Sequence, residues 1–306
     1  MSVILQLAIK ILPLYFIILL GFIAGRKLSV KKESVAPLLI YIIIPLVIFN
    51  SVLKSEVSMN TFSIPLVFYS LCCLMGLLFY HIGRYFWKDS TKNILAFAAG
   101  SGNAAYFGTP VAIAIFSEKI LGIVVLCVLG VILYENTVGF YLAARGNFSV
   151  REALKKIVKL PSIYAFIIAL TVNSLHLDFG QAYLSTVQVF QGALSFLGMV
   201  VIGLGMSNIQ KSSIDYKFIS LTFISKFIAW PIIMASLIAI DRAVLGIFST
   251  EVHNVMILLS IIPVAANTVA YATQLNAQPE KAALAVFLST IFALFYIPII
   301  VSIFLI

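Results

Sequence analysis

The chain has 306 residues, of which 62% are hydrophobic and only 10% charged, with a mean hydropathy of +1.12 and a formal net charge of +9. A soluble domain of this length needs far more charged surface, so the composition excludes one and points to an integral membrane protein. The basic residues are spread over short connections, so the positive charge does not describe a nucleic-acid-binding surface.

Apolar windows of about 20 residues predict ten membrane helices, at 3–25, 35–53, 62–87, 93–117, 119–144, 157–175, 183–208, 214–240, 253–275 and 279–305. We call them spans one to ten. Span one is interrupted by Gln6 and Lys10, and "MSVILQLAIK" has neither the basic start nor the cleavage site of a removable signal peptide. Its Gly21 and Gly25, like Gly198, Gly203 and Gly205 of span seven, are small-residue signals for close helix packing. Span two carries Asn50, placed to reach a cavity from its outer end. Cys72, Cys73 and Cys127 lie in apolar runs, and no spacing predicts a disulfide frame or a metal site. Span four is the anomaly, because "GSGNAAYFGTPVAIAIF" places Gly100, Gly102, Asn103, Gly108, Thr109 and Pro110 where a bilayer crossing would be deepest. Span five contains "LYENTVGF", with Glu135, Asn136 and Thr137, and span eight contains Lys226 in "TFISKFIAW". Span nine, "SIIPVAANTVAYATQ", repeats the pairing of Pro and Asn with Pro263, Asn267 and Thr268. His81 reads as an interfacial residue, and His176 and His253 fall at span ends.

Orientation follows from the loop cations. Fifteen of the 20 Lys and Arg fall in odd-numbered loops, and only Lys54, Lys119 and Arg242 in even-numbered ones. Odd loops are therefore expected in the cytoplasm, with both termini outside a plasma membrane. Ten spans divide into five and five, so the second half enters the bilayer inverted. The predicted units are residues 1–145, a cytoplasmic linker at 146–156, and residues 157–306. Pro110 and Pro263 stand 153 positions apart, half the chain, so the broken segments occupy corresponding places in the two halves. Paired breaks at mid-depth are the sequence signature of an inverted-repeat secondary transporter. Proline removes a backbone donor and glycine lets the chain open. The freed N–H and C=O groups are tolerated only where they line a cavity. At 1.5 Å per residue, Asn103, Glu135, Lys226 and Asn267 all lie about 12–18 Å deep. A charge there needs a partner, and a Glu135–Lys226 ion pair is one expectation. An ion or proton site formed by Glu135, Asn136 and Thr137 is the other.

"GNAAYFGTPVAIAIF" and "IIPVAANTVAYATQLNAQPE" resemble the crossover segments of the auxin efflux carrier family, and the resemblance covers the whole chain. It implies an all-α fold similar to those of bile-acid sodium symporters and sodium/proton antiporters. Spans one, two, six and seven would form a scaffold, which could also pair two copies. Spans three to five and eight to ten would form a transport domain moving in an elevator-type cycle. The implied ligand is a small organic anion, auxin-like or a dicarboxylate. Its site would lie at the crossover: Asn103, Gly108, Thr109, Pro110, Pro263, Asn267 and Thr268, with Asn50 from the scaffold. Sodium or proton coupling through Glu135, Asn136, Thr137 and Lys226 is the alternative scheme, with a different solute. The sequence departs from the plant pattern in two places. Thr268 replaces a second proline, and span three has no acidic residue. No cofactor is expected, and no convergent catalytic set or phosphate-binding loop suggests an enzyme or a primary pump.

Overall fold

The computed structural model describes residues 3–54, 63–116, 118–175, 180–207 and 214–305. His176 and Lys211 lie outside these residues, as do the side chains of Lys10, Lys54, Pro110 and Lys119. All regular structure among the described residues is helical. Helix occupies each of the ten expected ranges. Among the described residues, six helices are long and apolar enough to cross a membrane. A seventh results if Val150–Val158 and Pro161–Ser174, bent by 45°, count as one span.

Helix Val3–Lys27 packs along Gly180–Ser207. A Cβ on Gly21 would lie 2.9 Å from the Val200 Cα, and one on Gly203 would meet the Phe22 backbone nitrogen at 2.6 Å. The glycines therefore allow backbone-to-backbone approach, as their spacing predicted. Ile44–Lys54 packs on Pro161–Ser174 and on Gly180–Ser207. A second group joins Ser63–Phe86 to Thr91–Gly100 and Glu118–Asn136, and Asn267–Gln274 to Pro279–Phe304.

Three prolines leave the same local mark. Pro45, Pro110 and Pro231 each follow, by two residues, a π-type turn: Leu39–Ile43, Ala104–Gly108 and Ser225–Ala229. A proline has no N–H for the carbonyl four residues back, and the widened turn accommodates the missing bond. At Pro231 the orphaned carbonyl is that of Phe227, and the Tyr296 hydroxyl donates to it at 3.0 Å.

Both mid-depth breaks are present, with shifted limits. In span four, helix Thr91–Gly100 ends, Ser101–Asn103 is non-helical, and helix resumes through Ala104–Gly108 into Thr109–Ile115. Gly108, Thr109 and Pro110 thus belong to the resumed helix, Pro110 following the widened turn that accommodates its missing N–H. In span nine the break runs from Ile261 to Ala266. Thr268 is the second residue of helix Asn267–Gln274, outside the break. Two features escaped the sequence reading. Span five is interrupted at Thr137 (φ −124°, ψ −97°), between Glu118–Asn136 and Val138–Ala144. The linker expected at 146–156 contains a helix, Val150–Val158.

Candidate functional site

The two breaks touch. The Asn103 N–H donates to the Pro263 carbonyl at 2.9 Å, and the Asn103 carbonyl accepts from the N–H groups of Phe107 and Gly108 at 3.0 and 2.9 Å. A Cβ on Gly102 would lie 2.8 Å from the Ile262 Cδ1, so glycine is what lets the two crossing segments approach.

Ending helix Thr91–Gly100 in the interior leaves carbonyls without helical donors. Side chains from distant helices supply them. The Trp230 indole donates to the Ala99 carbonyl at 2.6 Å and Lys226 Nζ to that of Ser101 at 2.8 Å, while one turn earlier the Tyr134 hydroxyl adds a bond to the Ala96 carbonyl at 2.9 Å. Lys226 is buried and also stands 5.0 Å from the centre of the Trp230 ring. A cation at the C-terminal end of a helix meets the negative end of its dipole. This arrangement corrects the expected Glu135–Lys226 ion pair. Among the described residues the two make no salt bridge, because the ammonium is held by the carbonyl that the break exposes.

Glu135 has a different partner. Its Oε2 accepts from Asn267 Nδ2 at 2.9 Å. Asn267 opens helix Asn267–Gln274, so the carboxylate sits by a positive helix end. Asn136 is engaged otherwise: its Oδ1 accepts from the Tyr271 hydroxyl at 2.7 Å, and its Nδ2 donates to the Ile132 carbonyl at 2.9 Å. The Thr137 hydroxyl donates to the Leu133 carbonyl at 2.6 Å. Asn136 thereby ties span five to span nine, and the Thr137 hydroxyl also lies 3.4 Å from that of Tyr69 in span three. Thr268 is fully buried, its hydroxyl 3.5 Å from that of Ser101.

Asn103 is buried, yet neither its Nδ2 nor its Oδ1 has a hydrogen-bond partner among the described residues. Buried amides are rarely left so, and each such group calls for a physical explanation. Its side chain lines a small cavity of about 20 Å³ together with Gly102, Glu135, Ala265 and Asn267. That space holds about one water-sized probe. Ala105, Val128 and Ile132 are shared with a larger cavity of about 310 Å³. The polar members of the larger wall are Ser51, Thr109, Gln191 and Ser195. The two cavities are thus neighbours, the smaller deep between the breaks, the larger between the breaks and the helices Ile44–Lys54 and Gly180–Ser207. Asn50 lines neither cavity. It is buried beside Ser51 with both amide atoms unpartnered among the described residues.

Several participants were missed in the sequence. Trp230, Tyr134 and Tyr271 read as ordinary aromatic span residues, and nothing local marks them as donors. Gln191 shares span seven with Gln188, and nothing in the sequence set it apart. His253, left without a role, donates from Nε2 to Asp241 Oδ2 at 2.8 Å, and its Nδ1 accepts from Arg242 Nε at 3.3 Å.

A family described as membrane transport protein matches residues 6–150 and 147–301. An uncharacterized transporter of Methanocaldococcus jannaschii is 26% identical over 307 residues, covering 97% of this chain and 96% of the relative. The chain belongs to the membrane transport protein family, that of the auxin efflux carriers whose crossover segments it resembles, and is a multi-pass helical membrane protein.

Proposed function

We propose that the protein is a secondary carrier of a small organic anion, with ten spans in two inverted halves of five and its binding site at the crossover of spans four and nine. The observation that carries this reading is Asn103: an amide with both polar atoms unpartnered, at the contact of two broken helices, facing a cavity. An amide gives a carboxylate a donor without bringing a fixed charge into the low-dielectric interior. The larger cavity, about 310 Å³, is the size of a pocket for a small metabolite.

The positive-inside orientation puts the larger cavity in the outer halves of spans two, four, five and seven. On the opposite side, Lys32 meets Glu280 at 2.5 Å and Gln274 Nε2 donates to the Tyr41 hydroxyl at 3.2 Å. Lys32 and Tyr41 belong to the proposed scaffold, Glu280 and Gln274 to the proposed transport domain. Both contacts would have to break when the transport domain moves, so this arrangement reads as the outward-facing end of an elevator-type cycle.

Glu135 supports a second, coupled reading. An anion at Asn103 would share a small cavity with a carboxylate, and like charges repel strongly there. Entry of the anion is therefore expected together with a proton or a sodium ion that offsets Glu135. Uptake by proteoliposomes of a panel of mono- and dicarboxylates, with and without sodium and at two pH values, tests both readings. Accumulation of a carboxylate by wild type but not by Asn103→Ala supports the site. Equal uptake by the two proteins, or no uptake of any carboxylate, overturns it.

A further inference from the structure

The basic connection between spans five and six contains a helix with a defined start. The Ser149 hydroxyl accepts from the Glu152 N–H at 3.3 Å, and Glu152 Oε2 accepts from the Ser149 N–H at 2.9 Å. This capping box fixes where Val150–Val158 begins. The chain then turns by 45° into Pro161–Ser174.

At 100° per residue the helix has three faces. Ala153 and Ile157 face the protein, the first fully buried and the second partly. Val150, Leu154 and Val158 cover the next arc of about 80° and are 48%, 51% and 60% exposed. Arg151, Lys155 and Lys159, all exposed, cover a further arc of about 80° directly beside it. In water this order has no benefit, because three aligned apolar side chains stay hydrated. Leu154 and Ile157 also wall an apolar recess of about 260 Å³ with Val138 and Tyr141. Glu152 is the only acidic residue between Arg145 and Leu175 and is held in the capping box, so a single carboxylate faces the cations of this helix, Arg151, Lys155, Lys156 and Lys159.

We propose that Val150–Val158 lies in the plane of the membrane surface it borders, with Val150, Leu154 and Val158 at the acyl boundary and Arg151, Lys155 and Lys159 on the phosphates of anionic phospholipids. The order of faces selects a lipid surface as the occupant. Cations flanking an apolar strip can extend to headgroups while their stems stay in the boundary. The recess beside Leu154 offers apolar wall to an acyl chain. The helix is tethered between two membrane helices, Val138–Ala144 and Pro161–Ser174, which keeps it at headgroup depth. It thereby anchors the joint between the two halves of the chain.

The test uses the full chain with Cys72, Cys73 and Cys127 replaced by alanine and Leu154→Cys carrying an environment-sensitive fluorophore. The protein is reconstituted in phosphatidylcholine alone and in phosphatidylcholine with phosphatidylglycerol. Quenching by phospholipid brominated on its acyl chains is compared with quenching by aqueous iodide. With phosphatidylglycerol present, lipid quenching should dominate. Each of R151Q, K155Q and K159Q should move the balance towards iodide by about five-fold, and 1 M salt should act in the same direction. A label at Val158→Cys gives the same reading should the first variant not fold. Equal iodide access in both lipid mixtures overturns the proposal. So does shielding from both quenchers in both mixtures, which would mean that protein covers this face. Neither readout depends on transport, so failure here is distinct from failure of the carrier reading.

Discussion

The two broken helices use the same sequence device but are stabilised differently. The break in span four is three residues long, and the carbonyls around it are held by Tyr134, Trp230 and Lys226. The break in span nine is twice as long and is packed by Ile261, Ile262 and Val264, with the Val264 N–H donating to the Ser289 hydroxyl at 3.3 Å. Its charged neighbour, Glu135, touches the side chain of Asn267 and faces a cavity. Lys226 thus completes a closed polar cluster, whereas Glu135 borders open space. Proline and an amide at mid-depth specify a break. The side chains brought to a break from other helices decide which of its groups brace the fold, as at Ser101, and which are left facing a cavity, as at Asn103.

The largest expected effect tests the bracing role. Lys226→Met leaves the Ser101 carbonyl buried without its donor and removes the charge at the end of helix Thr91–Gly100. An unsatisfied buried acceptor costs about 1–3 kcal/mol, and the lost interaction with the helix end about 1 kcal/mol more. Thermal unfolding in detergent should show a clear drop in Tm. Adding Glu135→Gln should not restore it, since the lysine's partner is a carbonyl. Full recovery in the double variant would mean that the two charges stabilise each other after all.

On the open side, loss should appear in function before stability. Asn103→Ala removes an amide with no hydrogen-bond partner among the described residues, so Tm should stay near wild type. Substrate affinity should fall by about ten- to a hundred-fold, the worth of a hydrogen bond to a charged group. Isothermal titration with a transported carboxylate measures it, and a lowered Tm with unchanged affinity would mean that Asn103 braces the span-four break instead of binding the anion. Glu135→Gln keeps the shape of the site and removes its charge. It should leave downhill exchange of the carboxylate intact and abolish accumulation driven by a proton or sodium gradient. Accumulation at the wild-type level would exclude Glu135 from coupling.

The difference between the breaks was only partly legible in the chain. Glycine, proline and asparagine declare a break locally, and both were read to within a few residues. Gly21 and Gly25 of span one declared a close contact for the same reason, since a spacing of four puts them on one helix face. What holds each break was not legible, because the donors come from far away: Lys226 reaches Ser101 across 125 positions and Trp230 reaches Ala99 across 131. Depth placed Glu135 and Lys226 in one slab and suggested a pair. Depth does not fix azimuth, and the two side chains point to different breaks. The interruption at Thr137 was hidden because no proline marks it and its nearest glycine, Gly139, belongs to the helix that follows. The helix at Val150–Val158 was hidden because its cations dominate a connection read for charge.

The smallest expected effect concerns the clasp opposite the larger cavity, and it asks whether the open side is held open. Lys32 is buried, but Glu280 is about one-third exposed, so the pair is screened by water and contributes modestly. Lys32 also lies 3.9 Å from Glu33, which keeps a carboxylate near it when Glu280 is lost. Glu280→Gln should therefore shift the balance between outward- and inward-facing forms by about 1 kcal/mol or less, at most about five-fold. In a variant with the native cysteines replaced by alanine, a cysteine introduced at Ser195, on the wall of the larger cavity, reports that balance. An impermeant thiol reagent added from outside should label it more slowly once Glu280→Gln is introduced, because the cavity spends less time open to that side. The Gln274–Tyr41 contact remains in that variant, so labelling should slow without ceasing. Adding Tyr41→Phe should slow it further. Labelling at the same rate in all three proteins would show that the ion pair and the hydrogen bond do not hold the cavity open, leaving the packing of Lys32–Leu38 against Asn267–Gln274 as the element that does.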